Sequence, residues 1–209
     1  MDRGRLEAFS DGVFAVAITL LALNLTVAGP GHGTLLKQLT EHWPAFAGYL
    51  ISFLTIGIIW VNHHALVRQI TVVDRVLLFV NLVLLLFVVL IPFGTATAAD
   101  YLPHNSPDAQ FAMVLYAGIF LGMSISFSAI FEWTLHGQRV YQPLPVEQHW
   151  PARRRFVGGG LVYVVAMVVA VFNALAAFVL IGLVAVYYIF ERTPPSPGPP
   201  EGNDEEPVL

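Results

Sequence analysis

Arg5-Leu6-Glu7-Ala8-Phe9-Ser10-Asp11 runs directly into Gly12-Val13-Phe14-Ala15-Val16-Ala17-Ile18-Thr19-Leu20-Leu21, an apolar stretch that carries on to Val27. The junction sets a cation, an aromatic ring, a hydroxyl and a carboxylate at the mouth of a hydrophobic segment. Charged groups beside hydrocarbon are costly, and they persist where they pair or serve a pathway. The first helix is therefore the place to look for function.

The rest of the chain has the same character. Of its 209 residues 56% are hydrophobic and 11% charged, against about 25% charged in a soluble domain. A membrane span needs about 20 mostly apolar residues. Six segments qualify: residues 9–27, 44–63, 74–98, 109–133, 156–172 and 174–190. The expected fold is all-α, a polytopic membrane protein with six transmembrane helices. The fifth and sixth spans are separated only by Asn173, so one long bent helix is an alternative there, and Gly158-Gly159-Gly160 weakens the start of the fifth.

Basic residues orient the chain. Arg3, Arg5, Arg68, Arg75, Arg139, Arg153, Arg154, Arg155 and Arg192, nine of the ten Lys and Arg residues, fall on one side of a six-span topology; Lys37 alone falls on the other. Both termini are then cytoplasmic, and the protein is a multi-pass component of the cytoplasmic membrane. Arg3 and Arg5 in front of an apolar run, with Ala28 behind, also fit a cleaved signal peptide. Glu7 and Asp11 sit where such a peptide is basic or apolar, so the segment is read as retained. Residues 1–192 form one channel-sized membrane domain. Residues 193–209, rich in proline and acid, cannot bury a core and are expected to be disordered.

Several classes of function are excluded. No cysteine is present, so disulfides, thiolate metal sites and a cysteine nucleophile are ruled out. There is no basic run that would bind nucleic acid. GxSxG, HExxH, P-loop and GxGxxG contexts are missing, and the membrane midplane offers no acid for hydrolysis; the chain is not read as an enzyme. The lack of a deep carboxylate also weakens a proton-coupled secondary transporter. A non-transporting membrane scaffold is the third possibility. No TVGYG potassium-filter sequence occurs.

Two constellations remain. Gly12, Val16, Thr19, Leu23 and Thr26 lie on one helical stripe, either a packing face of small residues or a pore wall of apolar and hydroxyl rings; periodicity leaves both open. At the cytoplasmic end of the second span, Trp60, His63 and His64 lie at the depth of Asp11, where an aspartate near lipid needs donors. Ser10, Arg5 and a histidine can supply them, and Arg5 shares a face with Phe9. Adjacent histidines on a helix point about 100° apart and do not chelate as a pair. Asp74 and Glu132 are conceivable extra ligands that no spacing demands, so no metal and no cofactor is expected. Gly118 and Gly122 make a GxxxG contact, and Pro92 should kink the third span.

The run Arg5-x-x-x-Phe9-Ser10-Asp11, its continuation to Leu21, and Trp60 with His63-His64 resemble the transmembrane protein 175 family of potassium channels, named for an RxxxFSD motif in its first helix. The resemblance covers residues 3–192. It implies a single six-helix repeat that assembles as a homotetramer in membrane lipid, with first helices lining a central pore that passes K+ passively. Pore-facing positions would be Val16, Thr19 and Leu23. Arg5, Ser10, Asp11 and a histidine of the second span would form the network holding the first helix. Val16 is smaller than the isoleucine or leucine usual at the family's first constriction.

Overall fold

The computed structural model describes residues 2–104, 106–136, 139–141 and 146–190, with residues 146–148, 151–152, 155–157 and 190 described by backbone alone. The tail, residues 193–209, lies outside them. Among the described residues the regular elements are helical: α1 (Arg3–Ala22), α2 (Leu35–Glu41), α3 (Trp43–Gln69), α4 (Arg75–Tyr101), a 3-10 turn (Leu102–His104), α5 (Pro107–Leu135), α6 (Val146–Phe172) and α7 (Ala174–Phe190). Five of the starts have a side-chain cap, that of α7 coming from Asn173. Asp2, Thr34, Asp74 and Ser106 each accept a bond from the backbone N–H three residues on, satisfying a donor the first helical turn leaves free.

Three helices, α3, α4 with its 3-10 extension, and α5, are long and apolar enough to cross a membrane; residues Gly158–Phe172 and Ala174–Ile189 form shorter apolar helices. The first span differs from expectation. Helix α1 ends at Ala22 rather than Val27. Asn24 turns away to donate from Nδ2 to the Pro92 carbonyl at 3.4 Å, and the chain then reverses through Gly29 at a φ of +85°, a region open to glycine at little cost. Its 20 residues still measure about 30 Å at 1.5 Å per residue.

Two further elements depart from the sequence reading. Helix α2 follows the turn and was not expected. Its buried Gln38 fastens the loop, accepting from Gly29 N–H at 3.0 Å and donating to the Gly29 carbonyl at 2.9 Å. Helix α6 starts at Val146, so Gly158-Gly159-Gly160 do not interrupt it. They give room instead: a Cβ on Gly159 would lie 2.8 Å from the Tyr188 hydroxyl. That approach also settles the order of α6 and α7. The start of the apolar part of α6 meets the end of α7, so the chain reverses at Asn173 and one long bent helix is excluded. Asn173 caps α7, its Oδ1 accepting from Ala176 N–H at 2.9 Å.

Helix α5 is central, with α4 and α6 packed along it and α3 and α7 completing the bundle. Its Tyr116 and Phe120 are fully buried. Across α3, α4 and α5 the hydroxyls of Ser52, Thr95 and Tyr116 join, at 2.7 Å for both Ser52–Thr95 and Ser52–Tyr116, and Thr95 donates its proton to the Ile91 carbonyl. Buried hydroxyls in an apolar bundle are stable only when bonded in this way. Ser126 and Ser128 bond to carbonyls one turn back in α5. Helix α4 runs through Pro92, whose missing N–H frees the Val88 carbonyl.

Of the GxxxG pair, Gly122 makes the close approach: a side chain there would run into the Phe87 ring of α4, while Gly118 faces Met167 of α6 at an ordinary 4.0 Å. Gly122→Val is expected to lower stability by about 1–3 kcal/mol through overpacking. Combining it with Phe87→Ala should recover much of the loss. Thermal unfolding of the detergent-solubilised single and double variants checks this; strictly additive shifts would mean that the two sites do not touch.

Candidate functional site

Helix α1 lies at the side of the bundle against α3 and α4. It buries one stripe, Leu6, Ser10, Phe14, Ala17 and Leu21. The spacing is four, four, three and four, which an α-helix keeps on one face. Gly12, Val16, Thr19 and Leu23 are all exposed. At 100° per residue their mean direction is about 150° from the buried stripe, so they face away from the chain's own core. Val16 is 54% exposed and Leu23 72%; Leu23 is the first residue past the helix, still in helical conformation. Thr19 turns its hydroxyl proton inward to the Val16 carbonyl at 2.8 Å. That leaves the lone pairs of its oxygen directed outward as acceptors.

The polar network sits on the other side of α1, toward its N-terminus. Ser10, His63 and Asn81 are buried, at 0%, 1% and 1% exposure, and they form one directed chain. Ser10 Oγ donates to the Leu6 carbonyl at 2.9 Å. Its hydrogen is thereby used, so it accepts from Asn81 Nδ2 at 3.0 Å. The Asn81 Oδ1 then faces His63 Nε2 at 2.7 Å, and because a carbonyl oxygen only accepts, the His63 proton is on Nε2. The His63 ring also packs on Phe14, with centroids 5.4 Å apart. Three helices are thus locked at one point by groups that would otherwise be buried without partners.

A second group lies beside the first. Trp60 Nε1 donates to Asp11 Oδ1 at 2.9 Å. The His64 ring lies over the same indole, centroids 5.9 Å apart, and its Nδ1 is 3.1 Å from Glu7 Oε1. The two histidines therefore divide their work: His63 bonds inward through Asn81 to Ser10, and His64 faces the carboxylates. Arg5 is exposed and points along the outward stripe, in line with Gly12 and Val16, about 140° from Ser10. Its backbone N–H meets Asp2, but among the described residues its side chain has no polar partner. The expected link from Arg5 to Ser10 and Asp11 is not made within the chain. Phe9, 50% exposed, stands clear of the network on the same outer surface.

Sequence reasoning missed Asn81 and Glu7. Asn81 carried a usable signal, since it is the only amide or charged residue between Arg75 and Asp100, and a polar group at that depth needs a partner. Glu7 sits four residues before Asp11 and so projects from the same side of α1.

The remaining polar anchors hold the loops at the end of the bundle where α1 begins. Asp74 Oδ2 accepts from Trp133 Nε1 at 3.3 Å, and Arg139 stacks on that indole, 4.6 Å from its centroid. Thr71 N–H bonds to the Arg139 carbonyl at 2.8 Å. Glu132 pairs with Arg153, which donates from Nε at 2.9 Å and also from Nη2. Asp74 and Glu132 are thus engaged away from the two histidines.

An all-helical bundle with long apolar helices, polar groups locked at one end and no catalytic constellation among the described residues defines a helical membrane protein. The sequence profile described as endosomal/lysosomal potassium channel TMEM175 matches residues 5–92, which span α1, α3 and most of α4, the helices that carry both groups of residues. A protein from Streptomyces collinus named as a potassium channel is 37% identical over 195 residues, covering 92% of this chain and 94% of that one. Another so named, from Chamaesiphon minutus, is 40% identical over 144 residues, 66% of this chain and 69% of that one. The crystal structure of a lysosomal potassium-selective channel TMEM175 homologue from Chamaesiphon minutus superposes with a TM-score of 0.78 at 33% identity, covering 90% of this chain and 96% of that one. The chain belongs to the TMEM175 family, a family of ion channels and not of enzymes.

Proposed function

We propose that the chain is one subunit of a potassium channel of the prokaryotic cell membrane. Four copies assemble with their α1 helices around a central pore, and K+ crosses passively down its gradient. The observation that carries this reading is the two-sidedness of α1. One face is packed into the bundle and the opposite face, Val16, Thr19 and Leu23, is exposed. An apolar face left open in one subunit is ready to meet copies of itself or water. Potassium as the ion is supported by the two bacterial relatives named as potassium channels and by the potassium-selective channel whose structure superposes on the chain.

Six membrane crossings complete the reading: α1 and α3 to α7, with α2 lying outside the bilayer. An even number places both termini on the cytoplasmic side, where the basic residues gather. Within the pore, rings of Val16 and Leu23 narrow the path and strip water, while the Thr19 oxygens replace part of the ion's hydration. The Ser10–Asn81–His63 chain and the Trp60–Asp11 bond hold α1 upright against α3 and α4.

Potassium flux into liposomes bearing the purified protein tests the function, with sodium as the control. Potassium-selective, non-saturating flux is expected. Flux that saturates and needs a second ion gradient would mean a secondary transporter, and no flux at all a scaffold. Asp11→Ala removes the acceptor of the Trp60 indole, at a cost of about 1 kcal/mol for one partly exposed bond. It is expected to lower the yield of assembled protein more than the current per channel. Normal assembly with lost current would place Asp11 in conduction instead.

A further inference from the structure

We propose a first-row transition-metal dication site formed by Glu7 and Asp11 of α1 and His64 of α3. One ligand atom from each of the three residues converges, all within 4.8 Å of one another. The carboxylates come from one side of α1 at an i, i+4 spacing, and the imidazole comes from the neighbouring helix. His64 Nδ1 is shut off from solvent and makes no hydrogen bond, although it lies 3.1 Å from Glu7 Oε1. At that distance the two atoms are held together by a proton on Nδ1 or by a cation set against both. Ligands about 2.0–2.2 Å from a common metal ion are themselves about 3.0–3.4 Å apart at octahedral to tetrahedral angles, which is the Nδ1–Oε1 separation found. The Asp11 oxygen lies within 4.8 Å of both, and an inward movement of its side chain brings it to ligand spacing.

The surroundings favour the same occupant. Glu7 and Asp11 have no lysine or arginine partner among the described residues, so two negative charges meet one imidazole. The Trp60 N–H holds Asp11 by Oδ1 and leaves Oδ2 for the ion, the arrangement by which outer groups aim metal ligands. One imidazole nitrogen with two carboxylate oxygens suits Zn2+ and its first-row neighbours better than Ca2+ or Mg2+, which take oxygen alone. All three residues are half-buried, so water can fill the remaining positions. On the helical wheel the cluster lies well over 90° from the Val16–Thr19 stripe. A bound ion therefore ties α1 to α3 and does not plug the proposed pore, and the site stands whatever that pore conducts. The sequence reading weighed His64 only with His63, Asp74 and Glu132 as ligands; the fold sets it beside Glu7 and Asp11 of α1.

Zn2+ titrated calorimetrically into the detergent-solubilised full chain tests the proposal. One site per chain is expected. Glu7→Gln and His64→Asn should each weaken it by about tenfold or more, while His32→Asn, on the exposed loop before α2, should leave it unchanged. Size-exclusion profiles establish that each variant keeps the wild-type assembly. For a variant that does not, zinc X-ray absorption of the wild-type protein decides independently. The expected spectrum has a single histidine nitrogen among oxygen ligands. No binding, unchanged binding in Glu7→Gln or His64→Asn, or a spectrum with no histidine or with several, would overturn the site.

Discussion

Asn81→Leu is expected to destabilise the bundle more than any other single replacement in the network, by about 1–3 kcal/mol per chain. The leucine fits the apolar surroundings of α4, so little of the loss comes from shape. The penalty comes from His63 Nε2–H, left without an acceptor at 1% exposure, and from Ser10, left with its carbonyl bond alone. In membranes such bonds are worth less on average than in water-soluble cores, with measured values reaching about 1.7 kcal/mol; the upper part of the range applies here because the imidazole is enclosed. A four-fold assembly would take the penalty four times. The yield of assembled protein after solubilisation, and its melting temperature beside the wild type, check the prediction. An unchanged melting temperature would mean that His63 finds another partner and that Asn81 is not the link.

The second large effect concerns selectivity. Thr19→Ala removes the outward oxygen at the middle of the exposed stripe and leaves the helix otherwise able to form. The Thr19 hydroxyl proton is already given to the Val16 carbonyl, so only its acceptor capacity faces outward, as a cation requires. If four such oxygens help to replace hydration water, their loss should reduce potassium-over-sodium preference by about tenfold, the equivalent of about 1.4 kcal/mol. Reversal potentials in mixed potassium and sodium salts read this directly. Identical potentials in the variant would show that the hydroxyl has no part in discrimination. Conductance need not fall in parallel, because the apolar narrowing by Val16 and Leu23 is untouched.

Much of the fold was legible because it is written in composition. Long apolar runs in α3, α4 and α5 cannot be anything but long helices in lipid, and capping residues such as Asp74 and Ser106 mark where they begin. Less legible was where backbone groups escape the helix. Residues 23–27 are apolar enough to prolong α1, yet Asn24 finds the Pro92 carbonyl across the bundle, and no pattern in the first span announces that bond. Triglycine in α6 reads as a break until its role as space for Tyr188 is known. Spacing marked one stripe of α1 and left packing face and pore wall both open; that the stripe faces away from the core follows from the burial of Leu6, Ser10, Phe14, Ala17 and Leu21 on the other side. At the site, depth brought Asp11, Trp60 and the two histidines to one level. Their pairing was beyond sequence, because it depends on the roll of α3 about its axis: a turn of one residue exchanges His63 for His64.

The asymmetry of the buried chain has one more bearing. A carboxamide holds its hydrogens on nitrogen and accepts on oxygen, and it does not readily take up a proton at one end and release another at the other. With Asn81 standing between the imidazole of His63 and the hydroxyl of Ser10, the line from His63 to the Leu6 carbonyl is a mechanical tie with a dielectric gap in it. That line offers no through-going chain of exchangeable protons, so the joint that steadies α1 is not built as a proton relay.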